Sequence, residues 1–253
     1  MASETQRDDQ AGFWDEKART FPRYEPGEHT YEAGVLARIA AHGVDFRGKT
    51  VLDVGSGSGM YTLRIAQLAR RVTAVDISER MLRILRQDAA ALGLDNIEYV
   101  HSSWEQYHGD GVFDVVFCSM TPAIRSEASR EKLLRYSGGL TVFMGYAGVM
   151  SSDMLQGLLA RYGIAPRVFN DGPDMRAWLD GKGVAYAAIP IEGRWTQRRG
   201  KEETIASLSA MLLPYQAAPD RAFLEEYAAG FQEGPDAYVE RTDYKIELII
   251  WKK

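Results

Sequence analysis

Cysteine is nearly absent. Cys118 is the single one in 253 residues, so no internal disulfide forms, and its place in an apolar run fits a reducing compartment. Histidine is scarce as well: the four, at positions 29, 42, 101 and 108, make no His-x-x-x-His pair and have no cysteine partners at metal-ligand spacing, so no metal is expected. Long apolar runs are missing too. The stretch 112–120 is far too short to span a bilayer, and the opening MASETQRDDQ lacks the apolar centre of a signal peptide. A soluble, cytoplasmic protein without a membrane partner is the expectation. Positive charge is not in excess: 30 Lys and Arg stand against 35 Asp and Glu, a net charge of −5, which disfavours nucleic acid as a partner. No repeat, low-complexity tract or Gly/Ser linker interrupts the chain.

What is present suffices for a sizeable core, with 45% hydrophobic residues. Residues 1–30 form a polar arm studded with Phe13, Trp14, Phe21 and Tyr24. From residue 31 to 41, Val35, Leu36, Ile39 and Ala40 recur at helical spacing, and Gly43 closes the segment. Short apolar runs then alternate with amphipathic ones. Strands are predicted over 50–54, 72–77, 97–101, 113–120 and 140–145, and helices over 61–69, 79–92 and 127–135. Runs apolar on both faces, joined by helical crossovers, demand a parallel sheet covered on both sides, a doubly wound α/β fold. After residue 150 the rhythm changes to helices near 152–162, 175–179, 202–213 and 222–229, with strands over 184–193 and 244–253. The simplest organisation is one domain, 1–253, with a cofactor-binding core over 31–150. The remainder, 151–253, adds sheet-edge strands and a helical insertion that helps form a substrate pocket.

The informative segment is Val51-Leu52-Asp53-Val54-Gly55-Ser56-Gly57-Ser58-Gly59, set between a predicted strand and a predicted helix. Glycines at alternate positions let the backbone turn sharply and let a ligand approach without meeting a Cβ, while the following helix presents free N–H groups. Asp76 ends the next strand, where an acidic side chain accepts hydrogen bonds from ribose hydroxyls in doubly wound folds. Together they imply a nucleoside. A dinucleotide fingerprint needs glycine at position 60, where this chain has Met60. That makes an NAD-dependent dehydrogenase the weakest reading.

The pattern Asp53-x-Gly55-x-Gly57-x-Gly59, followed by Asp76-Ile77-Ser78-Glu79-Arg80-Met81, resembles the cofactor site of the class I S-adenosyl-L-methionine-dependent methyltransferases, and more loosely those of quinone biosynthesis. The likeness covers residues 30–150. It implies a Rossmann-like, seven-stranded, mostly parallel sheet with helices on both faces. It further implies that Asp53, Gly55, Gly57 and Gly59 face the methionyl end, Asp76 the ribose and Ile77 the adenine, with Ser56 and Met81 also at the cofactor. Ser103 stands where many members carry an acid for the adenine amino group, and Trp104 offers either an apolar edge or a core anchor. The fourth strand end, Phe117-Cys118-Ser119-Met120-Thr121-Pro122-Ala123-Ile124, faces the transfer site in that family, which places Cys118 beside the cofactor or in plain packing. It lacks the Asn or Asp followed by Pro-Pro typical of enzymes acting on bases or glutamine.

Methyl transfer from a sulfonium needs mainly positioning, so the catalytic residues stay unknown; Tyr24, His29, Tyr146 and Glu192 are the candidates for a base. Leaders such as 13–21 fold over the cofactor in small-molecule methyltransferases, which implies a lid of Trp14, Phe21 and Tyr24 or, alternatively, an arm packed on its own domain. The run Arg194-Trp195-Thr196-Gln197-Arg198-Arg199-Gly200-Lys201 is the most basic stretch, read either as a solvated loop or as a contact for an anionic acceptor or RNA. The expected activity is methyl transfer to a small-molecule acceptor. Alternatives are an RNA or protein methyltransferase, or a non-catalytic module that binds the cofactor; a homo-oligomer is left open.

Overall fold

The computed structural model describes residues 4–212, 215, 217 and 219–253. Two helices, α1 (Glu4–Lys17) and α2 (Tyr31–Ala41), precede β1 (Thr50–Val54), α3 (Thr62–Ala66), β2 (Arg71–Asp76), α4 (Glu79–Ala91), β3 (Ile97–His101) and β4 (Phe113–Ser119). A short 3-10 turn, η1 (Pro122–Ile124), leads to α5 (Glu127–Tyr136) and β5 (Ser137–Tyr146). Then come β6 (Gly148–Val149), β7 (Ser151–Ser152), α6 (Asp153–Arg161), β8 (Val168–Phe169) and α7 (Asp171–Lys182). The chain ends through β9 (Tyr186–Arg199), α8 (Lys201–Leu212), α9 (Arg221–Ala229) and β10 (Tyr238–Lys252). Leu213, the expected last residue of the helix at 202, lies outside the described residues.

Contacts divide the chain into two compact units. The first comprises Met1–Gly145, Met175–Ala188 and Leu248–Lys253; the second comprises Tyr146–Asp174 and Ile189–Glu247.

In the first unit β3, β2, β1, β4 and β5 lie side by side in that order, all parallel, and the closing stretch of β10 follows β5. Leu52 pairs with Val116 and Val54 with Cys118, and these side chains share one buried face with Phe143, Ile249 and Trp251. On the other face Phe117 meets the rings of Phe46 and Tyr61. Both faces are therefore dry, as the continuous apolar runs require. Thr30, Ser78 and Ser126 cap α2, α4 and α5 by accepting a backbone N–H from the first turn. The strand order reverses direction between β1 and β4. Their carboxyl-end loops consequently meet, the place where doubly wound sheets bind ligands.

Three expectations change in detail. Among the described residues the main sheet counts eight strands rather than seven, because the C-terminal third supplies β7 as well as β9 and β10. The helix expected over 61–69 is α3, limited to Thr62–Ala66. Asn96 ends it early by donating from Nδ2 to the carbonyls of Ala66 and Ala69, which satisfies groups that further helix would otherwise use. The N-terminal arm contains α1, which the sequence concealed because Glu4–Lys17 has almost no apolar residue before Phe13 and so no helical stripe.

Between β3 and β4 the chain makes a turn, and one side chain holds that turn. Lys132, buried on α5, donates to the carbonyls of Trp104, Glu105 and Tyr107 and lies over the rings of Trp104 and Tyr107. Burial lowers its pKa. Replacing it with methionine keeps the stem but strands three carbonyls. Lys132→Met is expected to destabilise the protein by roughly 2–3 kcal/mol, read from urea unfolding; a loss below about 0.5 kcal/mol would remove the lysine from the account of the turn.

The second unit builds its own core from α6, α8 and α9, where Met154, Leu158, Leu208, Leu212, Leu224 and Ala228 interlock. β7 pairs antiparallel with β10 through Ser152 and Thr242, and β6 pairs antiparallel with β8.

Candidate active site

β1 delivers Asp53 to the sheet's carboxyl edge, and the chain then bends through three glycines in the left-handed region: Gly55 (φ +72°), Gly57 (φ +55°) and Gly59 (φ +90°). The sequence assigned all three one purpose, room for a ligand. The structure separates them. A Cβ on Gly55 would stand 2.3 Å from Oγ1 of Thr121, and one on Gly59 would stand 2.2 Å from Cδ1 of Leu85. Gly55 therefore admits the loop after β4, and Gly59 admits α4. Around Gly57 the nearest neighbour of such a Cβ is Cε1 of Phe21, at 3.7 Å, so only this glycine keeps its face open. Ser56, between them, has a buried Oγ with no hydrogen-bond partner among the described residues.

Asp53 is almost fully buried. It accepts from Oγ1 of Thr62 at 2.6 Å. Burial, helped by the charge of Asp76 and opposed by the Thr62 hydrogen bond, pushes its pKa up to about 7. Asp76 ends β2 and receives the N–H of Gly57 and of Ser78, each at 2.8 Å. Burial raises its pKa also, against the pull of those two N–H groups. An ionised carboxylate has about four acceptor positions, so Asp76 retains two for a further donor. Two buried carboxyls and an unsatisfied hydroxyl thus converge on one bend.

The remaining predicted residues distribute unevenly. Ile77 is half-buried directly after Asp76, and Met81 lies inside the core with its N–H on Oγ of Ser78. Ser103 is buried and exchanges a hydrogen bond with Gln106. Trp104 is a core anchor: it stacks on Tyr107 and donates from Nε1 to the carbonyl of Ser129. A buried indole needs a partner for its N–H, and the α5 backbone supplies it. Cys118 is wholly buried in the same cluster, and burial, helped by the charge of Asp53, raises its thiol pKa well above normal.

The N-terminal arm lies along the bend. Asp15 accepts from Oγ of Ser78 and the N–H of Arg80, Trp14 meets Phe21 edge-on, and Oγ of Ser58 donates to the Pro22 carbonyl. Arg64 of α3 donates to the Glu25 carbonyl and to Thr30, with the Tyr24 ring beneath it. No sequence periodicity signalled these contacts. Among the expected bases, the Tyr24 hydroxyl accepts from Gln67 and His29 is exposed, both in the first unit. In the second, Glu192 is tied to Lys245 at 2.8 Å, and burial near Asp171 pushes Tyr146 up to about 12.

The basic run at 194–201 is neutralised within the second unit. Arg194 pairs with Asp243, Arg198 with Glu233, Arg199 with Glu240 and Lys201 with Glu225. Among the described residues no group of three or more His, Cys, Asp or Glu is placed to hold a metal, and no helix is long and apolar enough to cross a membrane.

Residues 51–137 match the family described as "Methyltransferase domain". A ubiquinone biosynthesis O-methyltransferase of Caulobacter vibrioides is 30% identical over 74% of this chain and 84% of its own length. A ribosomal RNA small subunit methyltransferase G of a Nocardioides species is 35% identical, over 59% of this chain and 65% of its own. Among solved structures, magnesium protoporphyrin IX methyltransferase from Synechocystis PCC 6803 superposes with a TM-score of 0.55 at 16% identity, covering 94% of this chain and 98% of that one. That likeness concerns the fold.

Proposed function

The chain belongs to the class I S-adenosylmethionine-dependent methyltransferases and draws the methyl group it transfers from that cofactor, and on this premise we propose that its acceptor is a small molecule. The cofactor, when bound, supplies a methyl group already activated by a positively charged sulfur. What the protein adds is binding, alignment and exclusion of water.

The residues at the bend fit such a molecule. Ser56 has a buried hydroxyl without a partner among the described residues, which a polar ligand group would satisfy. Asp53 offers a carboxyl for an ammonium, and Asp76 offers two acceptor positions for ribose hydroxyls, while Gly57 keeps the backbone approachable. Phe21, 3.7 Å from the place of a Gly57 Cβ, is positioned to shield this end from water.

The observation that carries the small-molecule reading is the pairing of every cation in the most basic stretch, Arg194 to Lys201, with a carboxylate. A polyanion binds through cations that release counterions, and a surface already neutralised releases few. The quinone-biosynthesis relative, aligned over most of its length, supports the same acceptor class. A ribosomal RNA acceptor is favoured by alignments that cover less of this chain. To decide between them, purified protein would be given methyl-labelled cofactor with hydroxylated aromatic acids and quinols in one arm and small-subunit ribosomal RNA in the other. Label is expected on a small molecule. Label on RNA, with binding that falls about a thousandfold between roughly 50 and 200 mM salt, would reverse the assignment.

A further inference from the structure

We propose that Thr121 recognises the carboxylate at the amino-acid end of the cofactor, an inference that rests on the reading that the bend at residues 55–59 holds S-adenosylmethionine. Three observations meet at this residue. First, its side chain lies directly over Gly55: Oγ1 is 2.3 Å from the position a Cβ there would take, so the loop after β4 is fitted to the bend after β1. Second, Met120, just before it, has φ +54° and is the one non-glycine residue in the left-handed region among the described residues. Such a conformation is strained for a residue with a side chain and persists where the surroundings enforce it, commonly at ligand sites. Its N–H is fixed on the Met144 carbonyl of β5, so the strained residue is tied to the neighbouring strand while the next side chain is thrown toward the bend.

Third, the hydroxyl is only half used. Oγ1 of Thr121 accepts the N–H of Ala123, and its own proton has no acceptor among the described residues. Next to Gly55, Oγ of Ser56 is buried and has no partner among the described residues. Two hydroxyl donors thus flank one glycine. Asp53, two residues before that glycine, supplies the acceptor. Donors for an anion beside an acceptor for a cation are the complement of a zwitterionic amino-acid head, and a carboxylate takes two such donors readily. An acceptor substrate carrying no anion would leave both protons unmatched.

The test compares two ligands that share adenosine and differ in the head group: S-adenosylhomocysteine, which has the amino-acid end, and 5′-methylthioadenosine, which lacks it. Calorimetry on the full chain is expected to show that Thr121→Val weakens S-adenosylhomocysteine about tenfold, leaves 5′-methylthioadenosine within twofold, and that Thr121→Ser restores most of the loss. Thermal unfolding of each variant reports whether the loop survives. Equal weakening of both ligands, or no weakening of either, would overturn the assignment. If the unaltered protein binds neither nucleoside, the reading of the bend itself fails, a result distinct from the failure of Thr121.

Discussion

Asparagine at position 53 should make the protein more stable above neutral pH and at the same time a poorer host for its cofactor. Burial holds the Asp53 carboxyl at a pKa of about 7 against an ordinary 3.8, so the folded state binds a proton that the unfolded chain has released. Stability from this group is complete below 3.8 and is lost as pH rises, until the carboxyl ionises near 7. The whole interval is worth roughly 4 kcal/mol, and the part between about pH 5 and 8 roughly 3 kcal/mol. Asn has the same shape, accepts the Thr62 hydroxyl and never ionises. Urea unfolding is therefore expected to show Asp53→Asn improving by ~3 kcal/mol relative to the parent between pH 5 and pH 8. Cofactor affinity moves the other way. An ammonium needs the ionised carboxylate, so the parent should lose about tenfold in affinity for S-adenosylhomocysteine per pH unit below 7, whereas the variant should be pH-independent and about a hundredfold weaker. Parallel pH profiles for the two proteins would show that Asp53 is not the ammonium's partner.

That trade explains why the bend could be read from sequence while its working parts could not. Asp53, the alternating glycines and Asp76 lie within one strand, turn and strand, and their spacing alone states the chemistry. The rest depends on partners distant in the chain. Gly55 is shaped by Thr121 and Gly59 by Leu85, and nothing local to residues 55–59 announces either. The strand and helix alternation up to residue 145 was legible because each parallel strand is apolar on both faces. α1 was not, since it has no helical apolar stripe and its hydrogen bonds run through Asp15 to the start of α4. β10 was expected from residue 244 and begins at Tyr238, because its first half carries Glu240 and Arg241, and charged residues argue against a strand until their partners are known. Buried Glu240 is the clearest instance of a pattern that only tertiary structure can justify.

Removing the Glu240 carboxylate should be the most damaging single change in the second unit. Glu240 is 2% exposed and accepts from Oγ of Ser152 and Nη1 of Arg199, both at 2.6 Å. Ser152 also caps α6 by accepting the N–H of Leu155, so one carboxylate joins β10 to β9 and to the cap of a helix. The Arg199 side chain is 15% exposed and turns its other edge to Gln197, with Glu203 no closer than 4.0 Å. Alanine at 240 leaves that guanidinium desolvated without its main counter-charge, a loss of about 3–5 kcal/mol in pairs of this kind. Glutamine keeps an acceptor for Ser152 or for Arg199 but not the charge, and should cost about half as much. The pair's own worth is a different quantity, since desolvating both ions offsets much of their attraction. A double variant, Glu240→Leu with Arg199→Met, is accordingly expected to recover most of the stability lost in Glu240→Ala, measured by urea unfolding with helix and tryptophan signals followed separately. If the double variant were instead as unstable as the sum of both single ones, the carboxylate would matter through Ser152 and the α6 cap rather than through the arginine.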